Sequence, residues 1–179
     1  MIEVPLKRAT ERQRAGLALL IQRLTLPPDA VMVEVGSYAG ESAVIFAESG
    51  RFASITCVDP WDDRQYAPAP ATPFAAVEAA FDERTRAFPI ITKVRACSVD
   101  AAERFEDASL DLVYIDAQHD YANVLADIHA WRPKVRPGGY VTGHDFGPPC
   151  SCRGVRNAVR RVFRRPDAVF EDSSWVKRV

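Results

Sequence analysis

The sequence predicts an α/β protein built on a doubly wound, mostly parallel seven-stranded sheet with a C-terminal β-hairpin. Three observations carry this prediction. Five short runs rich in Val, Ile and Leu alternate with helical stretches, as expected of strands covered on both faces. Glycines and acids gather just after those runs, where open sheets of this kind bind ligands. Residues 168–179 hold two β-like runs around Asp172-Ser173-Ser174, which reads as a hairpin. An antiparallel last strand beside the fifth completes a mixed sheet of seven.

The elements follow in order. Residues 7–25 read as an amphipathic helix, with Leu17, Leu20, Ile21 and Leu24 at i, i+3, i+4 and i+7. Pro27-Pro28 ends it. Residues 30–35 are a valine-rich strand, followed by Gly36 and a helix over 40–49. A second strand over 54–58 stops at Asp59-Pro60, and a proline-rich connection leads to a helix over 74–87. The third strand is 90–95, a short helix covers 99–105, and 110–115 is the fourth and most apolar strand. Tyr121, Val124, Leu125 and Ile128 form a helical stripe; Gly138-Gly139 then turns into a fifth strand over 140–143. Val155, Val159, Val162 and Phe163 mark the face of a last helix.

Composition narrows the function classes. The chain has 179 residues, 47% hydrophobic and 26% charged, with a net charge of -1. That fits one domain over 1–179, with 1–29 an N-terminal helical segment and 30–179 the α/β core carrying the chemistry. A nucleic-acid partner is disfavoured by the balanced charge. A membrane is disfavoured because no apolar run approaches the roughly 18 residues a span requires. The first 14 residues show no basic-then-apolar export pattern, and the four cysteines form no regular framework. The expected location is therefore cytoplasmic, with reduced thiols.

The chemistry is sought in the loops. The first runs Glu34-Val35-Gly36-Ser37-Tyr38-Ala39-Gly40-Glu41-Ser42. Its glycines are not the Gly-x-Gly-x-x-Gly pyrophosphate fingerprint. Gly36 can let a ligand approach the backbone, and Gly40 opens a helix whose amides face it. Glu34 at the strand end would repel phosphate but could hold an ammonium group. A tight strand–helix turn with a capping carboxylate is the plainer reading. Asp59, ending the second strand, can accept both hydroxyls of a ribose or simply cap a turn before Pro60. Together, Glu34 and Asp59 point to a cationic, ribose-bearing cofactor.

Asp116 ends an apolar strand where a carboxylate has no packing role, and His119 follows three residues later. His144 and Asp145 end the fifth strand, which puts Asp145 beside Asp116. Two such carboxylates can hold a hard divalent ion. Arg153, Arg156, Arg160 and Arg164 form a basic stripe, read first as a solvated helix face and second as a clamp for an anionic substrate. Cys150-Ser151-Cys152 lacks the paired partners of a zinc site and reads as ordinary loop thiols. The Trp61–Pro73 stretch, numbered 61–73, reads as a lid over the ligand, or Trp61 as plain packing.

At these residues the chain resembles a known family. VEVGSYAGESAV at 33–44 is similar to the first motif of catechol-type O-methyltransferases. The stretch 114–145, with DAQHDY near its start and GGYVTGHD at its end, resembles sugar and macrolide O-methyltransferases. The likeness covers roughly 30–165 and is to the class I S-adenosylmethionine-dependent methyltransferases, small O-methyltransferase type. It implies a Rossmann-like methyltransferase fold. It implies that Glu34, Gly36, Ser37, Tyr38, Gly40 and Ser42 hold the methionine end of S-adenosylmethionine. Asp59 would take the ribose and Ser98 would sit by the adenine, with Asp116 also beside the cofactor. It further implies His119 as general base, with Asp116 and Asp145 catalytic. Asp116, His144 and Asp145 would be ligands of a magnesium-like ion, His144 standing where related enzymes often carry Asp.

The function expected is metal-assisted O-methylation of a small hydroxylated acceptor: a sugar, phenol or natural product. A histidine of ordinary pKa, near 6.5, suits proton removal at neutral pH. The alternatives are an NAD-dependent oxidoreductase, against which the first loop argues, and a non-catalytic cofactor-binding module. A homodimer is compatible with the sequence, which does not specify the assembly.

Overall fold

The apolar runs form the strands β1 (Ala30–Val35), β2 (Phe52–Asp59), β3 (Ile91–Arg95), β4 (Leu110–Ile115) and β5 (Val135–Gly143). Two short strands, β6 (Ala168–Val169) and β7 (Trp175–Arg178), close the chain. The helices are α1 (Glu11–Arg23), α2 (Glu41–Glu48), α3 (Phe74–Thr85), α4 (Ser98–Ala102), α5 (Tyr121–Trp131) and α6 (Arg153–Phe163). The structure is a computed structural model that describes residues 10–65, 73–148 and 152–179.

All seven strands belong to one sheet, in the order β3-β2-β1-β4-β5-β7-β6. The first five are parallel to one another. β7 lies antiparallel between β5 and β6, as the hairpin predicts. The strand order reverses beside β1, so the loops after β1 and β4 open a crevice at the carboxyl edge of the sheet.

Side-chain alternation along the strands splits the core into two layers. Met32, Leu112 and Tyr114 pack with Leu20, Phe46 and Phe81 on one face. Val33, Val113 and Val141 pack with Ile128, Trp131 and Val159 on the other. Glu34 shares the face of Met32, which is why its carboxylate is fully buried.

Several boundaries differ from the sequence reading. β5 starts at Val135 rather than 140, because Gly138-Gly139 lies inside the strand. Leu110 pairs with Val135 and Leu112 with Tyr140, so the extra residues are absorbed by a register shift. α1 begins at Glu11 behind a capping box in which Thr10 accepts from the Gln13 amide and donates its own amide to the Gln13 side chain. The expected start at residue 7 lies outside the described residues. α4 ends at Ala102, short of the expected 105.

Candidate active site

Three of the four acids expected at the sheet edge, Asp59, Asp116 and Asp145, line a single cleft of about 1430 Å³. The fourth, Glu34, is fully buried, next in the chain to the lining residues Val35, Gly36 and Ser37. Its Oε2 accepts a weak bond from the Cys57 thiol at 3.5 Å. Its Oε1 has no hydrogen-bond partner among the described residues, and neither has the buried Ser37 hydroxyl. Burial pushes the Glu34 carboxyl up to about 7, and the neighbouring Ser42 and Ser37 hydroxyls work against that rise. Orphaned buried polar atoms are costly, so this corner is suited to a ligand that brings donors or positive charge.

Gly36 lines the cleft and also has a packing role that its loop does not announce. It adopts φ +88, and a Cβ there would lie 2.3 Å from the Asp116 carbonyl oxygen. The glycine is required because the loop after β4 presses against the loop after β1. Tyr38 lies half-exposed at the rim, and Gly40 caps α2. Ser42 lies in the first turn of α2 and lines the cleft.

Asp59 is buried, and each carboxylate oxygen already accepts one backbone amide: Tyr38 at 2.9 Å and Trp61 at 2.8 Å. It therefore has the turn role, and it also lines the cleft. Ser98 faces the same cleft, and its Oγ accepts from Trp131 Nε1 at 2.9 Å. Trp61 is packing. It is buried against Phe81 with ring centroids 5.0 Å apart and donates its indole N–H to the Tyr38 carbonyl. Residues 66–72 of the expected lid lie outside the described residues.

The crossover of the chain between β4 and β5 brings the remaining residues together. His119 Nε2 lies 3.0 Å from Asp145 Oδ2 and 3.5 Å from Asp116 Oδ1. Hydrogen bonds to Asp116 and Asp145 push the imidazole up to about 10. That corrects the expectation of an ordinary histidine, and the reason is the pair of carboxylates facing it. Asp116 is itself raised, by burial, against the opposing pull of His119 and His144. His144 is buried 3.3 Å from Asp145. Burial opposes its charge, but Asp145, Asp116 and Asp172 outweigh burial and push it up to about 9. Burial raises Asp145 and the two histidines lower it further, so its net displacement is downward.

Asp116, His144 and Asp145 each bring one ligand atom within 4.8 Å of the others. Two carboxylates beside open space are what magnesium accepts, so this donor set fits a divalent ion. The imidazole is the departure from an all-oxygen set.

A family model described as "Methyltransferase domain" matches residues 33–146. The chain belongs to that family. Every strand-end acid of the cleft lies inside the matched stretch.

Solved structures similar to this methyltransferase-domain protein share its fold, and one curated protein is related to it in sequence. A protein of Sinorhizobium fredii named y4gI is 27% identical over 118 residues, 64% of this chain. The chain spans only 13% of the length of that relative. Among solved structures it is similar to CalS11, a TDP-rhamnose 3'-O-methyltransferase of calicheamicin biosynthesis. The TM-score is 0.65 at 19% identity, covering 94% of this chain and 81% of that one. It is also similar to the O-methyltransferase NovP, with TM-score 0.62 at 16% identity, covering 92% and 76%.

Three cleft residues escape the sequence reading. Asp127 is buried on the apolar stripe of α5, a polar break visible at the spacing of Val124 and Ile128. Asp172 in the hairpin turn also reaches the cleft. Cys152 arrives beside His119 and Asp145, a meeting that no local pattern announces.

Proposed function

We propose that this protein transfers the methyl group of S-adenosylmethionine to a hydroxyl of a small acceptor. The observation that carries the reading is the cleft itself, in a chain of the methyltransferase-domain family. The Ser37 segment, beside the buried Glu34 whose Oε1 has no hydrogen-bond partner among the described residues, and the His119–Asp116–Asp145 cluster line one continuous cavity.

Glu34 and the Ser37 hydroxyl would bind the ammonium end of the cofactor, and Asp59 would accept its ribose hydroxyls. Gly36, Tyr38, Gly40 and Ser42 would form the surrounding wall, with Ser98 at the adenine end. S-adenosylmethionine, when bound, supplies an electrophilic sulfonium methyl that is displaced in line. Alignment of the acceptor oxygen with that methyl is what a closed, shaped cleft provides. His119 would take the acceptor proton on its ring, with Asp116 and Asp145 orienting the imidazole through Nε2. A divalent ion would be held by Asp116, His144 and Asp145, where it supplies Lewis-acid polarisation of a bound oxygen. CalS11 and NovP, both named as O-methyltransferases, support oxygen as the accepting atom. The nicotinamide alternative has no comparable support.

Thermal melts test the cofactor. S-adenosylhomocysteine at a hundredfold excess over its dissociation constant should stabilise the fold by about 2.7 kcal/mol, a rise of several degrees. NAD at the same concentration should leave the melting temperature unchanged. A shift with NAD and none with S-adenosylhomocysteine overturns the reading. Repeating both melts with and without magnesium shows whether the ion adds to cofactor binding.

A further inference from the structure

His119, Asp145 and Cys152 form a second cluster, distinct from the Asp116–His144–Asp145 set. We propose that it binds a zinc-class divalent ion through an imidazole nitrogen, a carboxylate oxygen and a thiolate, and that this ion takes His119 away from proton transfer.

The geometry is built rather than incidental. One ligand atom from each of the three residues lies within 4.8 Å of the others, and His119 Nε2 is already 3.0 Å from Asp145 Oδ2. Tetrahedral zinc, with ligand bonds of roughly 2.0–2.3 Å, needs ligand atoms about 3.3–3.8 Å apart, so modest side-chain movement suffices. The backbone holds the thiol in place. The Cys152 amide donates to the Asp145 carbonyl at 3.1 Å. Gly154, in the first turn of α6, lies against the loop that carries His119. A Cβ there would sit 2.2 Å from the His119 carbonyl oxygen and 2.7 Å from the Tyr121 amide. That contact brings the start of α6, and Cys152 with it, against the His119 segment.

The donor set selects the ion. Sulfur and imidazole suit zinc and cobalt, whereas magnesium prefers oxygen ligands alone. Three protein ligands leave a fourth position open to water. On binding, the Cys152 thiol proton and the His119 imidazolium proton both pass to solvent as the metal–sulfur and metal–nitrogen bonds form, with no change of oxidation state. The two clusters share Asp145, so the zinc-class ion and an ion on Asp116–His144–Asp145 compete. Loss of proton transfer rests on the proposed methyl transfer; the binding itself does not.

Cobalt(II) serves as the spectroscopic probe, added to the reduced full chain without cofactor. One equivalent should give a near-ultraviolet thiolate-to-cobalt charge-transfer band together with the visible bands of a four-coordinate ion. Cys152→Ser should lose the thiolate band and weaken zinc binding by more than about 100-fold, beyond the 10–100-fold typical of losing an outer hydrogen-bond partner. Cys97→Ser should keep the band. His119→Ala, at an exposed position, should bind zinc at least tenfold more weakly. A wild-type spectrum without the thiolate band overturns the proposal. So does a band that persists in Cys152→Ser, or zinc affinity unchanged in His119→Ala. Because these signals need neither cofactor nor acceptor, they stand even where the melts reject S-adenosylhomocysteine.

Discussion

Between Asp116 and Asp145 the imidazole of His119 keeps its proton up to about pH 10 in the free protein. A base must be neutral to accept a proton, so the sign follows directly. The reactive form grows as pH rises, and kcat/KM, which reports the free enzyme, should climb through an alkaline limb. The kcat limb, which reports the loaded enzyme, should lie lower if positive charge near the two carboxylates loosens their hold. Asp116→Asn removes the first of those holds and should move the kcat/KM limb downward. His119→Ala should lower turnover roughly 10²–10⁴-fold. pH profiles of the three proteins decide it. A limb near 6.5 in the wild type, or a loss under tenfold in His119→Ala, contradicts this account of the histidine.

At the scale of one element, α5 shows how a helix carries both packing and a charge. Val124, Ile128 and Trp131 are buried on its inner stripe, and Asp127 is buried among them at 5% exposure. Burial pushes the Asp127 carboxyl up to about 6, against the opposing hydrogen bond from Ser98. Its folded-state pKa is thus raised above the unfolded value near 3.9. The associated stability is fully present below that unfolded value and is lost as pH rises through about 6. The loss amounts to about 3 kcal/mol. Asp127→Asn should remove this pH dependence. The variant should gain on the wild type in denaturant melts at pH 8 and lose that advantage at pH 4. Parallel pH–stability curves for the two proteins count against it.

At the scale of the whole molecule, the two ends of the described chain brace each other. Arg12 Nε in α1 donates to the Glu171 carbonyl at 2.7 Å. Gly16 leaves room for Asp172, whose carboxylate accepts from the Ser174 amide and hydroxyl at 3.1 and 2.6 Å. A Cβ at Gly16 would lie 2.1 Å from the Asp172 carboxyl carbon. On an exposed helix, Gly→Ala stabilises by about 1 kcal/mol. Here Gly16→Ala must displace a buried carboxylate that also borders the cleft, and overpacking costs about 1–3 kcal/mol. The melting temperature should therefore fall by several degrees. A rise in calorimetry would show that α1 and the hairpin turn are not coupled.

The element order was legible because its signals are local. Continuous apolar runs mark β1 and β4, proline closes α1, and polar breaks mark the strand ends where Glu34, Asp59, Asp116 and Asp145 stand. β5 was misjudged at its start because a glycine pair reads as a turn whether or not a neighbouring strand absorbs it as a register shift. The sequence by itself determined the α/β class, the antiparallel last strand and the acids offered to the cleft. The tertiary structure alone decided what those acids do to their neighbours. It closed the gap that only Gly36 permits, set His119 between two carboxylates and carried Cys152 to the same point. Hydrogen bonding, burial and charge interaction depend on distances across the sheet edge, and those distances are set by strand order and helix docking rather than by spacing along the chain.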